Sequence, residues 1–129
     1  VWKDKISGII YIEDFYTGDE TYIDGSYLED KNVKLTGGPT ELEFANDAQR
    51  RVKSNLKFVA GKNIADFGCG NGDFLKLVKP YCANVSGIEI QQNYVDELNN
   101  QGIFCVNNLD TIKNDTLDVL LSFHVIEHL

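Results

Sequence analysis

The spacing of apolar residues changes twice along this chain, and each regime predicts different elements. Residues 1–38 alternate β-formers with turn residues (GIIYI, then TGDETYIDGSYL) and carry tyrosines at 11, 16, 22 and 27 without a sustained helical period. That pattern predicts an irregular or hairpin-like lead segment. Gly37-Gly38-Pro39 interrupts the chain, and Thr40-Glu41-Leu42-Glu43 follows as a capping box, whose hydroxyl and carboxylate satisfy free amides of a first helical turn. Ala45, Ala48, Val52, Leu56 and Val59 then recur at three- and four-residue steps, while Arg50, Arg51, Lys53 and Lys57 take the other faces. An amphipathic helix is expected over 40–59.

From Lys62 onward short apolar runs alternate with helical stretches. Strands are expected at 63–67, 85–90, 103–106 and 117–123, with helices at 73–81 and 93–100. Runs that are apolar on both faces and separated by helices describe a parallel sheet buried between layers. The expected architecture is therefore α/β, a three-layer sandwich with a mostly parallel sheet. Residues 1–38 lead into a domain that starts at 39. Because Val1 opens the chain and His128-Leu129 falls in the first turn of an expected helix, the sequence reads as the amino-terminal piece of a longer domain, truncated after its fourth strand.

Composition narrows the ligand. The 129 residues are 43% hydrophobic and 25% charged, as expected of one globular domain. Twenty acids against twelve bases give a formal charge of −8, without the basic footprint that a polyphosphate requires, so nucleic acid is not an expected partner. The acids are spread evenly, eight against four bases in 1–38 and twelve against eight in 39–129. Cys69, Cys82 and Cys105 are an odd number without CxxC spacing, which suggests neither a disulfide framework nor structural zinc and fits a reducing cytoplasm. No apolar run reaches membrane-spanning length, and no secretory signal opens the chain, so a membrane is not expected either.

The stretch richest in chemistry is Ile64 to Leu75, IADFGCGNGDFL, a strand delivered into a glycine turn that opens a helix. Ligands bind at such strand ends in open α/β sheets. Gly68 and Gly70 let the backbone turn tightly and approach a ligand, and Gly72 lets the next helix pack closely. The GxGxG spacing is one residue shorter than a dinucleotide-binding GxGxxG. Asp66 and Asp73 flank it, which disfavours a pyrophosphate and tolerates ammonium or sulfonium charge. No Gly-Lys-Ser/Thr follows, so a Walker phosphate loop is excluded. Glu89 ends the next strand, 23 residues beyond Asp66, where an acid can accept from both hydroxyls of a ribose.

DFGCGNGDF, GIEI and LDVLLSFHVIEHL, in that order and spacing, resemble the class I S-adenosylmethionine-dependent methyltransferases over residues 62–129. The resemblance implies a Rossmann-like fold and S-adenosyl-L-methionine as cofactor. It implies that Gly68, Cys69 and Gly70, with Asn71 and Gly72 completing the turn, hold the methionine part, while Asp66 steers the amino group. Glu89 would take the ribose and Ile90 the adenine face. Asn107, Asn108 or Leu109 would fall at the adenine rim, with Asn where many relatives carry Asp. Ser122, Phe123 and His124 match positions lining the cofactor near its sulfur, although Phe123 reads equally well as core.

His124-Val125-Ile126-Glu127-His128 also matches HxxEH, in which two histidines on one helix face bind zinc beside a glutamate base. Five residues without a third ligand are a short pattern. In relatives resembling quinone-biosynthesis O-methyltransferases, an acid stands where His124 does and binds a divalent cation. His124, Glu127 and His128 are thus alternative metal candidates, and a structural or substrate-facing role remains open.

A sulfonium leaving group needs alignment and desolvation more than catalytic residues; for a hydroxyl acceptor His124 or His128 is a candidate base. The expected function is methyl transfer to an unidentified, small-molecule acceptor, with no oligomeric state implied. The alternatives are a noncatalytic nucleoside-binding module or degenerate subunit, a zinc hydrolase and, more distantly, an oxidoreductase.

Overall fold

A computed structural model describes residues 2–8, 10–11 and 41–126. In the lead segment two short strands, β1 (Trp2–Lys3) and β2 (Ile10–Tyr11), pair antiparallel, with Trp2 opposite Tyr11. Tyr16, Tyr22, Tyr27 and Thr40 lie outside the described residues.

Helix α1 spans Glu41–Val59. Its inward face carries Ala48 and Val59, with Val52 packed against the same core, whereas Ala45 is exposed. The helix stops where Gly61 takes φ +70 and donates its N–H to Tyr81 O at 2.8 Å, a left-handed residue that glycine adopts without Cβ strain. Arg51 departs from the outward face expected of it. Its side chain is only 22% exposed, because a long apolar stem lets the guanidinium fold back over the core.

Strand β3 (Asn63–Phe67) leads to α2 (Asp73–Val78), β4 (Asn84–Ile88), α3 (Gln92–Asn100), β5 (Phe104–Val106) and β6 (Val119–Ser122). The expected helix over 73–81 is α-helical only to Val78 and tightens to a 3₁₀ turn at Lys79–Tyr81, since Pro80 has no N–H to continue the ladder. β4 ends before Glu89 and Ile90, which places both beyond the carboxyl edge rather than inside the strand.

All four central strands run parallel in the order β5-β4-β3-β6, an α/β Rossmann-like sheet. Alternation along the strands sorts two faces. Ile64, Val85, Cys105 and Leu121 join Phe74, Leu75, Val78, Val95 and Leu98 from the helices in one core, and Ala65, Ile88 and Val106 pack with Phe67, Ile112 and Leu117 in a second. The three helices thus flank the first face, and the 107–118 segment lies on the other. Pairing sets Leu121, Asp66, Gly87 and Cys105 in one row across the helical face.

Candidate cofactor site

The chain steps outward from β3 to β4 to β5, then returns to the other side of β3 for β6. The sheet therefore switches direction between β3 and β6, and the crevice outside the carboxyl ends at such a point is where open α/β sheets bind ligands. A cavity of about 320 Å³ lined by Phe104, Ile112 and Lys113 lies at the opposite, amino end of the strands, away from that crevice.

Gly68-Cys69-Gly70-Asn71-Gly72 turns over the carboxyl edge, held by Gly68 N–H donating to Ile88 O at 2.8 Å and Gly72 N–H to Cys69 O at 2.9 Å. The glycines divide their work differently from the sequence expectation. At Gly68, with φ +72, a Cβ would stand 2.3 Å from Val125 Cγ2, so the close neighbour is the segment after β6. At Gly72 it would stand 2.5 Å from Leu98 Cδ2, so the room serves α3 rather than the sheet. Only at Gly70, φ +53, would a Cβ meet nothing within 4 Å, leaving its backbone open to a ligand. The Cys69 thiol turns inward, 4.0 Å from Cys105 Sγ, and Asn71 bonds locally to Asp73 (2.9 Å).

Glu89 is 6% exposed and fastened at both oxygens. Oε2 accepts from Gly70 N–H at 2.8 Å and Oε1 from Gln91 N–H at 3.0 Å. One carboxylate thus ties the glycine turn to the loop opening α3, and each oxygen keeps a lone pair for a further donor.

Asp66, 3% exposed, sits beneath the turn. Burial pushes its carboxyl up to about 7, opposed by the positive charge of Arg51 and reinforced by the negative charge of Glu89. Its Oδ1 has no hydrogen-bond partner; neither has Arg51 Nε nor Ser122 Oγ, the other such buried atoms among the described residues. Ser122 pairs with Phe67 and so faces the opposite side of the sheet from Asp66. The Arg51 guanidinium pairs with Asp47 and lies 4.7 Å from the centre of the Phe123 ring, which meets Phe74 edge-on at 5.0 Å. Phe123 thus packs against the core. The helical period assigns Arg51 to an outward face, and no local motif marks the inward reach of its side chain.

Past β4 and β5, Ile90 (48% exposed) and Leu109 (54% exposed) leave apolar side chains in the open. The Asn107 amide donates to Gln92 Oε1 at 2.8 Å, and Asn108 Oδ1 accepts from Asp110 N–H, capping a 3₁₀ turn. His124 is exposed and left-handed, φ +57, in a bend rather than a helix. Glu127 and His128 lie outside the described residues, and among those described no three potential ligands gather for a metal. No described helix is long and apolar enough to cross a membrane.

A glycine turn at the switch point, a fastened acid one strand over and a buried acid below make a candidate cofactor site on a fold of the Rossmann-like class. Residues 44–129 match the family described as methyltransferase domain, and the chain belongs to that family. This agrees with its resemblance to the class I S-adenosylmethionine-dependent enzymes. Its fold is similar to that of an S-adenosylmethionine-dependent methyltransferase from Archaeoglobus fulgidus (TM-score 0.58, 21% identity, covering 81% of this chain and 46% of that one). A second similar structure is the S-adenosylmethionine-bound amino pentose methyltransferase CalS10 from Micromonospora echinaspora (TM-score 0.45, 18% identity, 88% and 44%). The chain thus spans under half the length of these proteins. No curated protein matches it in sequence.

Proposed function

We propose that the protein transfers a methyl group from S-adenosyl-L-methionine to a small-molecule acceptor. The observation that carries this is the buried, unpartnered Oδ1 of Asp66 beneath a turn whose one unfilled glycine, Gly70, is clamped by Glu89. A buried carboxylate lacking a donor suits a cationic amino group, and an open backbone suits close approach by the ligand. The residues present therefore fit S-adenosylmethionine, which supplies a methyl already activated by its positively charged sulfur.

In this reading Asp66 receives the ammonium of the methionine part, and Arg51, whose Nε is also unpartnered, faces its carboxylate. Gly70 passes beside the methionine chain. Glu89 accepts from the ribose hydroxyls with its remaining lone pairs, and Ile90 and Leu109 cover the adenine, rimmed by Asn108. Phe123 and His124 border the reacting end. The protein's contribution is alignment and exclusion of water, which suffices for in-line displacement from a charged leaving group. The test is calorimetric titration of the full-length protein with S-adenosylmethionine and, in parallel, NAD, followed by assay for S-adenosylhomocysteine release. Binding of NAD alone would overturn the reading. Binding of S-adenosylmethionine without turnover against any small acceptor would make the site a nucleoside-binding module.

A further inference from the structure

Cys69 and Cys105 are 36 residues apart in sequence, yet their sulfurs stand 4.0 Å apart inside the fold. The contact is built by a third residue. On β4, Gly87 lies beneath both sulfurs, and a Cβ there would come within 2.7 Å of Cys69 Sγ and 2.9 Å of Cys105 Sγ. The two thiols are unequally placed. Cys105 is 3% exposed and its backbone is pinned by Asn99, which donates to Cys105 O at 2.8 Å and accepts from Cys105 N–H at 3.2 Å. Cys69 is only partly buried and stands between two left-handed glycines, and its own N–H reaches Ile88 O at no better than 3.3 Å. One sulfur is fixed and the other rides on the turn that forms the cofactor site.

We propose that Cys69 and Cys105 are a redox modification site, joined reversibly as a disulfide by a hydroperoxide, and that the bond closes the cofactor site. A disulfide brings sulfurs to about 2 Å, so Cys69 must move inward by roughly that much from its 4.0 Å separation. The turn then sinks toward the sheet and carries Gly70 off its bond to Glu89. In the first step the Cys69 sulfur attacks a peroxide oxygen; an S–O bond forms, the O–O bond breaks, and water or an alcohol leaves. In the second the Cys105 sulfur attacks Cys69, the S–S bond forms, the S–O bond breaks and water leaves. Two thiol protons and two electrons pass to the peroxide. Either sulfur can donate across this contact, and the contact with Cys105, followed by burial, raises the Cys69 thiol. A raised thiol holds little thiolate, so the first step sets a slow overall rate.

The closure of the site rests on the functional reading above, whereas the bond itself does not. The full-length protein is treated with hydrogen peroxide, mapped by non-reducing peptide mass spectrometry and titrated with S-adenosylmethionine before and after dithiothreitol. A linked Cys69–Cys105 peptide pair is expected, with Cys82 free and affinity reduced at least about tenfold, restored by reduction. Cys105→Ala, or Cys105→Ser should the first fold poorly, is expected to keep its affinity through the same treatment. Linkage through Cys82, oxygen adducts without linkage, or a linked protein that binds undiminished would overturn the proposal. If the reduced protein binds no S-adenosylmethionine, the functional reading fails and the mass map alone decides the bond.

Discussion

Replacing Asp66 with Asn should stabilise the empty protein and weaken its cofactor binding at once. The carboxyl is raised from 3.8 to about 7, mainly by burial. Between those values the folded chain holds a proton that the unfolded chain has released, so stability falls as pH rises through that window and the loss is complete above it. Roughly three units at about 1.4 kcal/mol each put the cost of the buried charge on the order of 4 kcal/mol. An amide of equal size avoids that cost, although a buried amide lacking a partner forfeits about 1–3 kcal/mol of its own. The Asp66→Asn protein is therefore expected to be more stable by roughly 1–3 kcal/mol near pH 8 and no more stable near pH 4, where the native carboxyl is already neutral. Urea unfolding of the ligand-free full-length protein at both pH values reads this directly. Calorimetry should show S-adenosylmethionine bound at least about tenfold more weakly by the variant. A variant less stable than wild type at pH 8, or one that binds normally, refutes the account of Asp66.

Other substitutions test the remaining contacts. Gly68→Ala should destabilise by more than about 2 kcal/mol, because its Cβ meets Val125; adding Val125→Ala should recover only part, since φ +72 stays strained for alanine. Unfolding free energies of the single and double variants check this. Glu89→Ala should cost about 1–2 kcal/mol by releasing the Gly70 and Gln91 amides, and should raise the dissociation constant for S-adenosylmethionine, measured by titration. Arg51→Met, which keeps an unbranched apolar chain but removes the guanidinium over Phe123, should weaken binding of S-adenosylmethionine while leaving that of adenosine unchanged in competition assays. Wild-type affinity should fall as pH drops below about 7, following protonation of Asp66.

The frame of the molecule was readable before the structure. β3 matches its expected bounds because it is apolar on both faces and stops at a glycine, and α1 ends at the expected Val59 because its helical period runs out before Gly61. The carboxylates were readable as well, since strand ends are fixed by pattern and Asp66 and Glu89 fall at two of them. What escaped depends on distance in sequence. A helical period assigns Arg51 to a face but says nothing of how far its stem reaches. Val125 at Gly68, Leu98 at Gly72 and the two sulfurs over Gly87 are packing contacts between separate strands and helices, set by register and twist, for which no local pattern exists.

The hydrogen atom that serves as the side chain of Gly87 has an effect beyond its own strand. It leaves a recess in the floor of the sheet into which the tip of the neighbouring loop hangs, so the height of that loop is governed from β4. A methyl added at 87 would press on the Cys69 sulfur and lift the loop like a shim, shifting the glycine motif from a strand that contributes none of its residues.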